Sequence, residues 1–195
     1  NEFSKRYDYP GFLKLHVFDL FSEENVLLLD ADAIPIRECD LSQFSDRHEV
    51  IAVVDRYIGE QSAEAGITPD EYFNAGMMML NRKHHSEMLA LARRFHDSGE
   101  RYSLGEQPLL NKARKMLGIP LLRLDERYNH LRFYDDPDFD PNKTVIAHWT
   151  PHSHDLGHIL AFCRTRPVLC RKNAAAVASE FIQTISPYPS GYEGR

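Results

Sequence analysis

Residues Val26 to Leu29 form an unbroken apolar run that stops at Asp30-Ala31-Asp32, and Pro35 closes the stretch. A short continuous run bounded by polar breakers reads as a strand buried on both faces, the kind found inside a parallel sheet. Such sheets bind ligands in the crevice beyond the carboxyl ends of their strands. Two carboxylates one residue apart at that place are costly to bury unless they are paired or bind a cation. Their hard oxygens suit magnesium or manganese. The stretch therefore predicts a metal-diphosphate site, with ordinary strand-end acids as the alternative.

A chain of 195 residues has room for one substantial core, so one domain is the expectation. Its net charge of −6 offers no surface for nucleic acid or anionic membrane. The apolar runs are too short to span a bilayer, and no signal-peptide core is visible. Cys39, Cys163 and Cys170 form no C-x-x-C pair, and their odd number argues against a disulfide framework. A cytoplasmic setting fits best, although the sequon Asn142-Lys143-Thr144 is compatible with secretion. Asn1, not Met, opens the sequence, as in a chain that begins inside a larger protein.

Periodicity predicts a helix over Gly11–Phe21 and a short helical turn at Leu41–Phe44. Strands are expected at Val50–Val54, ending in Asp55, and at Tyr72–Leu80, where Met77 to Met79 read as core filler. Tyr57–Asp70 reads as a surface loop. His84–Phe95 forms the next helix, with His84 and His85 solvated at its start. A further helix opens at Gly105-Glu106-Gln107-Pro108 and closes at Gly118. Short strands at Pro120–Leu124 and Thr144–His148 flank an acidic loop, and a helix Ala174–Ile185 precedes a tail, Pro187–Arg195. Alternating strands and helices mean an α/β fold with a mostly parallel sheet.

A cation on Asp30 and Asp32 needs a third protein ligand. His148, also at the end of an apolar strand, is the candidate, and an imidazole beside carboxylates suits manganese better than magnesium. A strand-end histidine bonded to the backbone is the alternative. His152, His154 and His158 form a rival zinc pattern, without an apolar scaffold to fix them. Glu106 fits ordinary helix capping or acceptance of hydrogen bonds from sugar hydroxyls. Asn74 can present its amide to the same ligand, because Gly76 permits close backbone approach.

The motifs F-L-K-L-H-V-F (Phe12 to Phe18), V-L-L-L-D-A-D-A-I (Val26 to Ile34), F-N-A-G-M-M-M (Phe73 to Met79), G-E-Q-P-L-L-N (Gly105 to Asn111) and R-Y-N-H (Arg127 to His130) occur in the order seen in family-8 glycosyltransferases. The chain resembles that family over about residues 10–150, most closely its glycogenin and galactinol-synthase branch. The resemblance implies a GT-A (Rossmann-like) fold, mostly parallel with a small antiparallel portion, over residues 1–165, followed by a helix and tail over 166–195. It implies retaining transfer of a hexose from a UDP-sugar, with manganese or magnesium, to a carbohydrate or protein hydroxyl, and it is compatible with a homodimer.

Carried over by position, Asp30, Asp32 and His148 would ligate the metal and Lys14 would contact the donor phosphates. Asn74, Ala75 and Gly76 would line the donor pocket. Glu106, where the family usually has Asp, and Gln107 would flank the anomeric carbon, and Asp55 would reach the sugar or acceptor. The family's K-P-W segment after the metal histidine is missing; Arg164, Arg166 or a histidine as its substitute, or weaker phosphate binding, are the alternatives. The resemblance also implies a strand-helix segment with base-binding residues before Asn1. Two other readings use the same residues: a non-catalytic glycosyltransferase-like binding module, and a haloacid-dehalogenase-type phosphatase with Asp30 as nucleophile. The second requires an acidic pair on another strand, which Asp135-Asp136 supplies poorly.

Overall fold

The computed structural model describes residues 10–133 and 136–149. The predicted helix Ala174–Ile185, the tail, Arg164, Arg166 and the three histidines 152, 154 and 158 lie outside the described residues, as does the boundary between 165 and 166. A 3₁₀ segment, Pro10–His16, runs into the short helix α1 (Val17–Leu20). β1 (Asn25–Leu29) and β2 (Ala33–Pro35) follow, separated by the acidic pair. After a 3₁₀ turn, Ser42–Phe44, come β3 (Val50–Val54), α2 (Gly59–Glu64) and β4 (Phe73–Asn81). Two helices, α3 (Arg82–Asp97) and α4 (Glu106–Met116), lead to β5 (Leu121–Leu124), β6 (His130–Leu131) and β7 (Ile146–His148).

The strands make two sheets, in the orders β1-β4-β3-β5 and β2-β7-β6. β4 is central in the first, and all but one of its residues are buried. Met77 and Met78 are among them, as core filler requires. Phe73, Ala75 and Met78 of β4, Leu89 and Ala92 of α3 and Leu109, Leu110 and Ala113 of α4 form one apolar core. Both helices thus pack on one face of the sheet, as their periodic apolar stripes demand.

Two expectations about the sheet need correction. β1 is an edge strand among the described residues, only half-buried, and it pairs with β4 antiparallel. β3 with β4 and β2 with β7 are antiparallel too, while β3 with β5 and β6 with β7 are parallel. An apolar run carries no information about strand direction. The connection decides it: residues 55–72 hold only a short helix and return the chain beside β3, whereas two long helices carry it across to β5.

Two local expectations also change. Tyr57–Asp70 contains α2, and Ile58, Ala65 and Ile67 bury themselves against Tyr72. His85 is buried, not solvated. Its Nδ1 accepts the Asn81 N–H at 2.7 Å, and its Nε2 donates to the His48 carbonyl at 3.1 Å. Burial pushes the imidazole below its ordinary pKa, so it folds neutral. Because the unfolded chain takes up the proton first as pH falls, stability is complete above about pH 6.5 and declines below it. The melting temperature is expected to drop between about pH 6.5 and 5, and more steeply in the wild type than in His85→Gln.

Candidate active site

β1 and β4 deliver the acidic pair. The Asp30 N–H donates to the Gly76 carbonyl at 2.8 Å, so the chain leaves β1 still registered on β4. It turns at once, Ala33 N–H donating to the Asp30 carbonyl at 3.0 Å, and enters β2. β2 pairs with β7 so that Ala33 lies opposite His148. One turn therefore carries Asp30 and Asp32 to the histidine 116 positions away. His148 Nε2 lies 3.3 Å from Asp32 Oδ1 and 3.9 Å from Asp30 Oδ2. One ligand atom from each of the three residues lies within 4.8 Å of the others.

The rest of the machinery surrounds this cluster. Gly105, at φ 61° and ψ −117°, makes a turn that suits glycine. It sets Glu106 and Gln107, both buried, on the first turn of α4. Asn111, one turn further on, fixes α4 to β4 by accepting the Phe73 N–H and donating to the Phe73 carbonyl, each at 2.9 Å. Gln107 Oε1 then accepts the Ala75 N–H at 2.8 Å. Asp55 Oδ2, at the end of β3, accepts from Asn74 Nδ2 at 2.9 Å and from Gln107 Nε2 at 3.3 Å.

Lys14 Nζ sits 2.6 Å from both Asp30 Oδ1 and Glu106 Oε1, and it donates to the Ala75 carbonyl at 3.1 Å. Burial alone would lower this ammonium, but the Glu106 and Asp30 carboxylates outweigh it and hold it above the ordinary lysine value. Lys14 is thus a fixed cation between two carboxylates, and it is not among the side chains that line the neighbouring cavity. That cavity, about 600 Å³, has Asp30, Asp55, Asn74, Glu106, Gln107 and His148 along its wall. Ala75 contributes backbone, and Gly76 supplies room: a Cβ there would stand 2.1 Å from His148 Cε1. Among the described residues, every predicted site residue falls in this one region.

Three contributors escaped the sequence reading. Asn129, inside the R-Y-N-H motif, is wholly buried and bonds both His148 and Asn74. Tyr57 and Arg132 also line the cavity, the guanidinium 5.1 Å from the ring centre. Arg132 has a positive φ of 53°, a conformation that is uncommon for non-glycine residues and that clusters at functional sites. The R-Y-N-H motif was the signal available for Asn129.

The two mixed sheets flanked by helices match the GT-A fold of glycosyltransferase structures such as LgtC. The chain matches the glycosyl transferase family 8 profile over residues 2–153 and belongs to that family. Among solved structures it is similar to the bifunctional glycosyltransferase WbbM, at 19% identity and a TM-score of 0.57 over 74% of this chain and 32% of that one. It is similar to the galactosyltransferase LgtC, solved with donor and acceptor sugar analogs, at 16% identity and a TM-score of 0.54 over 95% of this chain and 70% of that one. GlyE from Streptococcus pneumoniae is similar at 19% identity and a TM-score of 0.50, over 96% of this chain and 49% of that one.

The chain thus spans about a third of WbbM and half of GlyE. At these identities the likeness is one of fold. Comparison with curated protein sequences yields no match. Family membership replaces the phosphatase reading, and the match is to the family as a whole, without a branch. Among the described residues no helix is long and apolar enough to cross a membrane.

Proposed function

We propose that this chain carries the metal and sugar-transfer groups of a retaining hexosyltransferase that uses a UDP-sugar donor and a hydroxyl acceptor. The observation that carries the reading is the meeting of Asp30, Asp32 and His148. His148 Nε2 is buried with no hydrogen-bond partner, 3.3 Å from a carboxylate oxygen. A hard divalent cation such as Mn2+ satisfies all three ligands, and their N/O composition suits it. When bound, such an ion neutralises negative charge on the diphosphate leaving group.

The chain's own residues do the remaining work. Asp55, Asn74 and Gln107 line the cavity as acceptors and donors suited to sugar hydroxyls, and their mutual hydrogen bonds hold them in place before a ligand arrives. Glu106 presents Oε2, buried and without a hydrogen-bond partner, on the same wall. There it stabilises positive charge at the anomeric carbon, by the same chemistry as the paired carboxylates of glycosidases. Lys14, bonded to the other oxygen of Glu106 and to Asp30, fixes the sugar side of the site relative to the metal side. Attack by the acceptor from the face the diphosphate leaves gives retention.

The decisive assay incubates the protein with a panel of UDP-hexoses and Mn2+ and follows UDP release. Consumption of one donor, stopped by chelation, is expected; failure to bind or consume any of them overturns the reading and favours a non-catalytic module. Glu106→Gln keeps the shape of the side chain and removes its charge. It is expected to lower kcat on the order of 100-fold with KM for the donor within a few-fold, as for loss of one group that acts mainly in the transition state.

A further inference from the structure

The tautomer of His148 can be deduced from the backbone outward. The Gly76 N–H is an unambiguous donor, and it lies 2.8 Å from Asn74 Oδ1, which must therefore be the carbonyl oxygen of that amide. The same oxygen lies 2.9 Å from one terminal atom of the Asn129 side chain, which must be the donating nitrogen Nδ2. Asn129 Oδ1 is then the acceptor that lies 2.9 Å from His148 Nδ1, so Nδ1 carries the proton. In the neutral ring Nε2 then keeps its lone pair, and it lies 3.3 Å from Asp32 Oδ1. Set that close, with Nε2 buried and without a hydrogen-bond partner, the two atoms call for positive charge between them, which a metal ion or a second proton supplies. Asn129 and His148 are both buried, so water offers the imidazole no alternative.

We propose that Asn129 is the positioning residue of the metal centre: its oxygen locks His148 in the Nδ1–H form and aims Nε2 at Asp30 and Asp32. The assignment rests on the reading of these three residues as cation ligands. Asn129 also ties that lock to the sugar-facing wall, because its Nδ2 bonds Asn74, whose own Nδ2 bonds Asp55. A neutral imidazole free of this partner divides its proton between two nitrogens, and only one form can ligate through Nε2. Partners that orient metal-ligating histidines are worth about 10- to 100-fold in metal affinity.

The test uses the metal-free protein with ¹⁵N-labelled histidine at about pH 8, above the ordinary histidine pKa. His148 is assigned by difference from His148→Gln. Long-range ¹H–¹⁵N spectra of the wild type are expected to show Nδ1 protonated and Nε2 unprotonated, and Asn129→Leu is expected to lose that single form. Mn2+ affinity, read by electron paramagnetic resonance without any donor present, is expected to fall 10- to 100-fold in Asn129→Leu. Asn129→Asp, which still accepts from Nδ1–H but cannot donate to Asn74, is expected to keep the tautomer and recover most of the affinity.

Protonated Nε2 in the wild type overturns the proposal, as does a folded Asn129→Leu that binds Mn2+ as the wild type does. Should Asn129→Leu fail to fold by circular dichroism, the wild-type spectrum and Asn129→Asp decide. A wild type that shows the Nδ1–H form yet binds no Mn2+ would instead sink the catalytic reading and leave the assignment of the tautomer standing.

Discussion

Gly76→Ala is expected to abolish cation binding while leaving the protein folded. The added Cβ would stand 2.1 Å from His148 Cε1, 2.8 Å from Asn74 Oδ1 and 2.9 Å from Asp30 Oδ2. No carbon contact of 2.1 Å survives, so the imidazole must leave its place, and three site residues move for one methyl group. Gly76 is not among the residues with positive φ and lies within β4, so alanine meets no backbone strain there. Overpacking at a well-filled position costs about 1–3 kcal/mol, which a folded domain tolerates. Mn2+ affinity should fall on the order of 100-fold or more, with a melting temperature only a few degrees lower. Titration followed by electron paramagnetic resonance, beside a thermal melt of the same sample, separates the two effects. Unchanged Mn2+ binding in the variant would contradict the geometry.

Asp32→Ala should separate folding from ligand binding. Burial alone would raise the Asp32 carboxyl, but the His148 imidazole 3.3 Å away outweighs it and holds the group below the ordinary carboxylate value. Removing Asp32 takes that favourable contact away, so the metal-free variant is expected to melt no higher than the wild type. The ligand-dependent gain is where the variant should fail. Saturating Mn2+ with UDP at about 100 times its dissociation constant stabilises the wild type by about 2.7 kcal/mol, and in Asp32→Ala that increment should vanish. A thermal-shift series with Mn2+, UDP, both and neither distinguishes these results, and an undiminished shift in the variant would remove Asp32 from the site.

Much of this site was legible because its parts lie where strand periodicity breaks. Asp30 and Asp32 follow β1 and His148 ends β7, and an abrupt stop in an apolar run is visible without coordinates. Glu106 and Gln107 announced themselves through the glycine before them and the proline after. The direction of the strands was not legible, since Val26 to Leu29 read alike in a parallel interior and at an antiparallel edge. His85 defied its pattern because what covers it, the His48 carbonyl, comes from a residue 37 positions earlier. Lys14 was assigned to phosphates by resemblance, and the carboxylates that hold it, Asp30 and Glu106, lie at distances along the chain that no spacing rule connects. Asn129 was hidden for a related reason. Its function lies wholly in two long-range hydrogen bonds, to residues 55 and 19 positions away, and no spacing rule connects them.

The central claim is that Asp30, Asp32 and His148 grip one divalent ion beside the donor's diphosphate. Anomalous diffraction from crystals of the protein grown with Mn2+ and UDP tests it most directly. The expected result is a single manganese peak about 2.0–2.4 Å from one oxygen of each carboxylate and from His148 Nε2, with UDP phosphate oxygens completing its shell. A peak bound elsewhere, or UDP seated in the cavity with no metal touching these three residues, would contradict it.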